Sequence, residues 1–180
     1  GVRDVLQAAA VAGAEVEVPL LVRLVDLRPD EILDALEAAR RASVLACDDV
    51  TTTHGWRFAH ELMREAVLAG LEPAMRAALH RRVGEALAEC HASDPGSVLA
   101  RVAFHLCAGA PSGCGEAGAR SALAAANAAF ARANLEEAVD LCERGLAALE
   151  LADPPLPDLA LALWLVQREA LAALNERDRS

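Results

Sequence analysis

Lysine is missing from this 180-residue sequence, so all 17 basic residues are arginine. That absence removes every chemistry that needs a lysine amine, including the P-loop phosphate contact, Schiff bases and pyridoxal phosphate attachment. Tyrosine is missing too, aromatics make up only 3%, and the single isoleucine is Ile32. Strands favour β-branched and aromatic residues, so a large sheet is excluded. No apolar run approaches the ~20 residues of a membrane span, and no basic segment opens a signal peptide. The five cysteines, Cys47, Cys90, Cys107, Cys114 and Cys142, are odd in number and scattered. They fit free thiols in a reducing cytoplasm better than a disulfide framework. His105 and Cys107, with Cys114 beyond, lack the paired CxxC spacing of a metal site and read as ordinary residues. GxSxG and HExxH are absent, and no Cys–His pair has a supporting third residue, so the chain itself is expected not to be an enzyme. Glu136 and Glu137 are adjacent on a helix, point in different directions and read as surface.

What is present is Ala, Leu and Val, within a 54% hydrophobic composition. Small, strong helix formers suit closely packed helices. The preference for Ala, Gly and Arg implies a GC-rich genome. The net charge of -10 repels a phosphate backbone, so bulk electrostatic binding of nucleic acid is not expected. The chain opens at Gly1 inside a helical pattern (Val2, Val5, Leu6, Ala9) and stops at Ser180 after an apolar run. Both ends are expected to be cuts through something longer.

The periodicity predicts a helix over 2–12 ended by Gly13, a short helix over about 18–26 near Pro19, and a third from Pro29 and Asp30 to about Ser43. Asp30 fits an N-cap or first-turn acid, and Ile32, Leu33, Leu36 and Ala39 the apolar face. Then the period changes. Val44 to Cys47 is a short apolar run, Asp48 to Gly55 is polar and turn-rich, and Trp56-Arg57-Phe58 alternates. These predict a two-stranded β-hairpin, and three helices followed by a hairpin make a winged helix. Helices are expected again at 60–69, 72–90, 97–108, 116–133, 135–151 and 157–175. Pro73 marks a first turn, and Pro111 and Asp153-Pro154-Pro155 mark breaks. Arg76, His80, Arg81 and Arg82 form a basic cluster that reads as a solvated helix face.

Ala125-Ala126, Ala129-Phe130, Asn134 to Ala138 and Leu141 to Leu146 resemble the tetratricopeptide pattern, in which small residues sit where two helices of a hairpin cross. Asn134 falls in the turn where that repeat usually has Gly, and Asn tolerates the left-handed conformation. Asn175 is expected to mark the same turn one repeat later, at longer spacing. Asn127, Arg132 and Asn134 are the candidate partner-binding residues, because repeat proteins line concave surfaces from such positions. Structural use of the two asparagines is the competing reading.

The stretch Trp56-Arg57-Phe58-Ala59-His60-Glu61-Leu62-Met63-Arg64-Glu65-Ala66-Val67, followed by Leu71, Arg76 and Leu79-His80-Arg81-Arg82-Val83, resembles the segment after the ATPase core in STAND-type signalling ATPases. It is similar to the large ATP-binding LuxR-type transcriptional regulators. In that family an "FRHxLxREA" stretch ends a winged helix and an "LHRR" stretch opens helical repeats. Residues 5–45 fit the same pattern. The family's P-loop is absent here, as is its C-terminal DNA-binding helix-turn-helix, and Leu68 stands where members often carry an aromatic.

The resemblance implies that His60 contacts the β-phosphate of bound ADP and holds a closed state. The competing role is packing or capping at the start of its own helix. Arg64, one turn on, either joins a phosphate or inter-domain contact or pairs with Glu61 or Glu65. Any nucleotide contact requires an ATPase core of the same polypeptide, so ATP or ADP is a cofactor of the parent and none is expected for this segment. The helix at 29–43 begins with Asp30, Glu31, Asp34 and Glu37, which disfavours direct DNA binding.

The expected fold is mainly α, a winged helix at 1–70 followed by tetratricopeptide-like hairpins at 71–180. The expected function is the regulatory and sensing segment of a cytoplasmic bacterial ATP-dependent transcriptional regulator, with an inducer or protein partner on the repeats and no membrane. Alternatives are a free-standing helical-repeat adaptor, or a winged-helix DNA-binding protein with a helical dimerisation arm.

Overall fold

The computed structural model describes residues 1–47 and 55–177; the Asp48–His54 part of the expected turn lies outside the described residues. The chain is mainly helical with one small antiparallel sheet, and divides into two compact units, Gly1–Ala86 and Leu87–Ser180. Among the described residues, no helix is long and apolar enough to cross a membrane.

The first unit runs α1 (Val2–Ala12), β1 (Glu15–Val16), α2 (Val18–Leu24), α3 (Pro29–Arg41), β2 (Leu45–Cys47), β3 (Trp56–Phe58), α4 (Glu61–Ala69) and the first part of α5 (Pro73–Cys90). Gly13 ends α1 at φ 142, a conformation that side chains disfavour. α3 starts where the sequence predicts. Pro29 supplies a preset first turn, the Glu31 carboxylate accepts the Arg28 backbone N–H at 2.9 Å, and Arg40 and Arg41 sit in the last turn, where the helix dipole favours cations. Its buried stripe is Ile32, Ala35, Leu36 and Ala39. Leu33, expected inside, is 40% exposed, because it lies about 100° round the helix from Ile32 and Ala35 takes its place.

The sheet has three strands rather than the two expected, in the order β1-β3-β2, both pairings antiparallel. β3 is central, with Trp56 and Phe58 buried and Arg57 exposed. Val16 pairs with Trp56 and Glu15 with Arg57 on one side, and Leu45 with Phe58 and Cys47 with Trp56 on the other. Val5, Ala8 and Ala9 of α1, Leu21 and Leu24 of α2, and Ile32 and Leu36 of α3 are buried with Trp56 in this unit.

The second unit contains α6 (Leu99–Ala108), α7 (Gly115–Ala131), α8 (Leu135–Leu149) and α9 (Pro157–Arg177). Consecutive helices pack on each other, and α6 also meets α8 and α7 meets α9. The core is built chiefly of alanine: Ala119, Ala122, Ala125, Ala126 and Ala129 of α7 and Ala138 of α8, joined by Leu141, Cys142 and Leu163. Glycines bring the axes closer still. A Cβ at Gly145 would lie 2.9 Å from Ala122 Cβ and 3.1 Å from both Leu163 methyls, where α7, α8 and α9 meet.

The α7–α8 turn corrects one expectation. Ala133, not Asn134, adopts the left-handed conformation, at φ 58; Asn134 sits at φ −88 as the N-cap of α8. The Asn134 N–H donates to the Ala129 carbonyl at 3.0 Å and the Ala133 N–H to the Phe130 carbonyl at 2.9 Å, the pair of bonds of a Schellman cap. The left-handed position of this cap is one residue earlier than the spacing suggested. α3 ends the same way, with Ser43 at φ 58 and bonds from Ser43 to Arg40 and from Val44 to Ala39, each 2.9 Å. A side chain at such a site costs about 1–2 kcal/mol, part of which glycine gives back as unfolded-chain entropy. Ala133→Gly is therefore expected to stabilise the protein by about 0.5–1 kcal/mol, read as a higher thermal midpoint. An unchanged or lower midpoint contradicts this geometry.

Candidate functional site

His60 is the N-cap of α4, at φ −143 and ψ 140, two residues after the end of β3. Its side chain is exposed and makes no capping hydrogen bond, so among the described residues it is not engaged in the cap the sequence allowed for. A helix N-terminus carries backbone N–H groups without helical acceptors and the positive end of the dipole, which favours an anion.

Arg64, one turn on, is half-buried and engaged. Its Nε donates to Glu61 Oε1 at 2.8 Å and one terminal nitrogen reaches the same oxygen at 2.5 Å. The other terminal nitrogen donates to the Ala10 carbonyl at 3.0 Å. Ala10 lies in the last turn of α1, whose carbonyls lack helical partners, so the guanidinium caps α1 from α4 and meets the negative end of its dipole. The hydrogen bond from Arg64 holds the Glu61 carboxyl below its ordinary pKa, and the same bond raises that of Arg64. Of the two roles open to Arg64 in the sequence, the geometry provides the pair with Glu61. Truncating it removes a partly buried charged hydrogen bond, so Arg64→Ala is expected to cost about 1–2 kcal/mol in urea unfolding, whereas Glu61→Ala, at a mostly exposed pair, costs under about 1 kcal/mol. Equal losses contradict the capping role.

An open groove of about 480 Å³ runs between Val2, Arg3, Leu6 and Gln7 of α1 and Ala66, Val67 and Gly70 at the end of α4. Neither His60 nor Arg64 lines it. The exposed side of α3 carries Asp30, Glu31 and Asp34, with Arg28 bridging to Asp30 at 3.1 Å and to Glu31 at 3.4 Å. Arg40 pairs with Glu37 at 3.0 Å, which occupies one of the two late cations of this helix.

In the second unit the structure brings two of the three candidate residues together. Asn134 Nδ2 donates to Glu137 Oε2 at 2.6 Å, and an Arg132 nitrogen lies 3.9 Å from the same oxygen. Asn127 is separate: its Nδ2 donates to the Leu123 carbonyl of its own helix at 2.9 Å. All three are exposed. Glu137, the acceptor that joins the turn, was not among the residues the sequence singled out. Phe104 was missed as well; it is 42% exposed on α6, with the Arg144 guanidinium of α8 5.3 Å from its ring centroid. Aromatic and cation lie forty residues apart, and no spacing rule links them.

Three of the thiols, Cys107, Cys114 and Cys142, are not poised for chemistry. Burial pushes Cys107 and Cys142 each up to about 11, and Cys114 donates to the Leu106 carbonyl at 3.2 Å. Protonated thiols are poor nucleophiles and poor ligands. Among the described residues, no three His, Cys, Asp or Glu side chains group as a metal site. Compared with protein-family models, with curated proteins and with solved structures, the chain matches none.

Proposed function

We propose that this chain is the winged-helix and helical-repeat segment of a bacterial STAND-type, ATP-dependent transcriptional regulator. The first unit relays nucleotide state and the second senses an inducer or protein partner. The observation that carries the reading is His60, which lies at the position the family motif gives its histidine. It is exposed at a helix N-terminus and takes no part in capping. Imidazole there can donate to a phosphate presented by a neighbouring ATPase core, with the helix dipole adding to the attraction. The order α1-β1-α2-α3-β2-β3, with β3 between the other two strands, is the order of a winged helix and supports the assignment. Consecutive helices crossing at alanine and glycine support tetratricopeptide-like hairpins in the second unit.

The open reading frame around these residues tests the reading first. It is expected to encode a P-loop ATPase core ahead of Gly1, and a frame without one favours the free-standing adaptor. In the full polypeptide, His60→Ala is expected to speed ADP release about tenfold, the worth of one hydrogen bond to a charged group. Unchanged release overturns the role of His60. The acidic start of α3 argues against the DNA-binding alternative, so the 180-residue chain is expected to give no gel shift with duplex DNA at physiological salt.

A further inference from the structure

α9 buries Leu159, Leu163 and Ala170 and turns a second stripe to solvent. Asp158, Leu161, Leu165 and Arg168 recur along it at spacings of three and four, which keeps them on one side of a helix. Leu161 is 54% exposed and Leu165 44%, and Trp164 beside them is 58% exposed. Trp164 also edges a groove of about 520 Å³ formed with Leu149, Pro155 and Leu156. The arginine of the stripe is unusual for this unit. Arg120, Arg132, Arg144 and Arg177 each meet a carboxylate at 3.9 Å or closer. Arg168 meets none among the described residues, and Asp158 meets no cation there.

We propose that this stripe is a homodimer contact, in which α9 packs antiparallel against α9 of a second copy about a twofold axis level with residue 163. In that register Leu161 of each copy lies opposite Leu165 of the other, and Asp158 of each copy opposite Arg168 of the other. Both matches occur twice by symmetry. The stripe is its own complement: acid at one end, base at the other, leucines between, so a half-turn superposes each group on what it needs. A 3–4 spacing also suits side-by-side helices crossing at about 20°. The occupant is therefore a second copy of this chain, and the leucine pairs supply the apolar burial while the ion pairs set the register. This contact stands apart from the nucleotide relay proposed for His60.

Sedimentation velocity of the 180-residue chain over a micromolar concentration series tests it. A monomer–dimer equilibrium is expected, weakening as salt rises. Arg168→Asp sets two carboxylates opposite each other at both ends and is expected to weaken the dimer roughly tenfold or more. Leu165→Asp is expected to leave only monomer. Combining Asp158→Arg with Arg168→Asp restores the complement in reverse and is expected to bring association back to near the original. The side chains exchanged are exposed, so helical circular dichroism is expected to be kept in each variant and serves as the folding check. A chain that stays monomeric throughout overturns the proposal, including the case where a different protein or peptide then binds the stripe. So does a dimer indifferent to Arg168→Asp, or a double variant that fails to reassociate.

Discussion

Gly118→Val is expected to lower unfolding stability by about 3 kcal/mol or more, at the upper end of overpacking effects. Gly118 lies on α7 where α6 crosses it. A Cβ there would lie 2.9 Å from the Leu106 carbonyl carbon and 3.0 Å from both the Leu106 oxygen and the Cys107 nitrogen. All three are backbone atoms of a helix, so no rotamer change relieves the contact, and the two helices have to separate. Separation also opens the alanine core around Ala119 and Ala122, where short side chains cannot follow. Even Gly118→Ala is expected to destabilise, although alanine is favoured over glycine within a helix by about 1 kcal/mol. Gly70 is the control. Its conformation is helical, at φ −81, and a Cβ there meets nothing closer than 3.6 Å, so Gly70→Ala is expected to be neutral or mildly stabilising. Denaturant midpoints of the three variants decide the matter, and Gly118→Val at wild-type stability would falsify the close approach of α6 and α7.

Acidification is expected to destabilise the protein through His80. Its side chain is buried, and desolvation, helped by the nearby Arg76 charge, lowers its pKa from 6.5 to about 4. Between those values the unfolded chain binds a proton that the folded chain refuses, so stability falls as pH drops from 6.5 toward 4 and levels off below. The full shift corresponds to roughly 3 kcal/mol, and about 2 kcal/mol of it is lost by pH 5. Other groups titrate in the same range, so the measurement is a difference. Urea unfolding of wild type and His80→Leu is compared at pH 7.5 and pH 5. The wild type is expected to lose about 2 kcal/mol more than the variant. Parallel losses would mean that His80 is not held neutral in the fold.

His80 also shows where sequence reasoning stopped. With Arg76, Arg81 and Arg82 it read as one solvated basic face. Helical position alone does not say which side of α5 meets the core, and His80 goes in with Leu79 and Val83. Elements bounded by strong stereochemistry were legible: α1 ends at Gly13, α5 starts at Pro73, and the alternation Trp56-Arg57-Phe58 became β3. β1 was not, because two residues are too short to show a period, and Glu15–Val16 becomes a strand only through the register β3 offers it. The candidate site divides in the same way. The Glu61–Arg64 pair follows from a spacing of three. The Ala10 carbonyl that Arg64 also caps is fifty-four residues away and follows only from packing α4 against α1. The exposed cap position of His60 had a sequence signal, its place at the junction of strand and helix, but the absence of a capping bond did not.

The burial of Trp56 and the exposure of Trp164 have a practical consequence. The chain has no tyrosine and only these two tryptophans. One indole is 2% exposed in the first unit, and the other is 58% exposed in the second. Ultraviolet emission is therefore a sum of a blue band from an apolar site and a red band from a hydrated one. An externally added quencher extinguishes the red band first. The blue band then reports the folding of residues 1–86 alone, without a label, and the quenched fraction reports whether the outer side of α9 is open or covered.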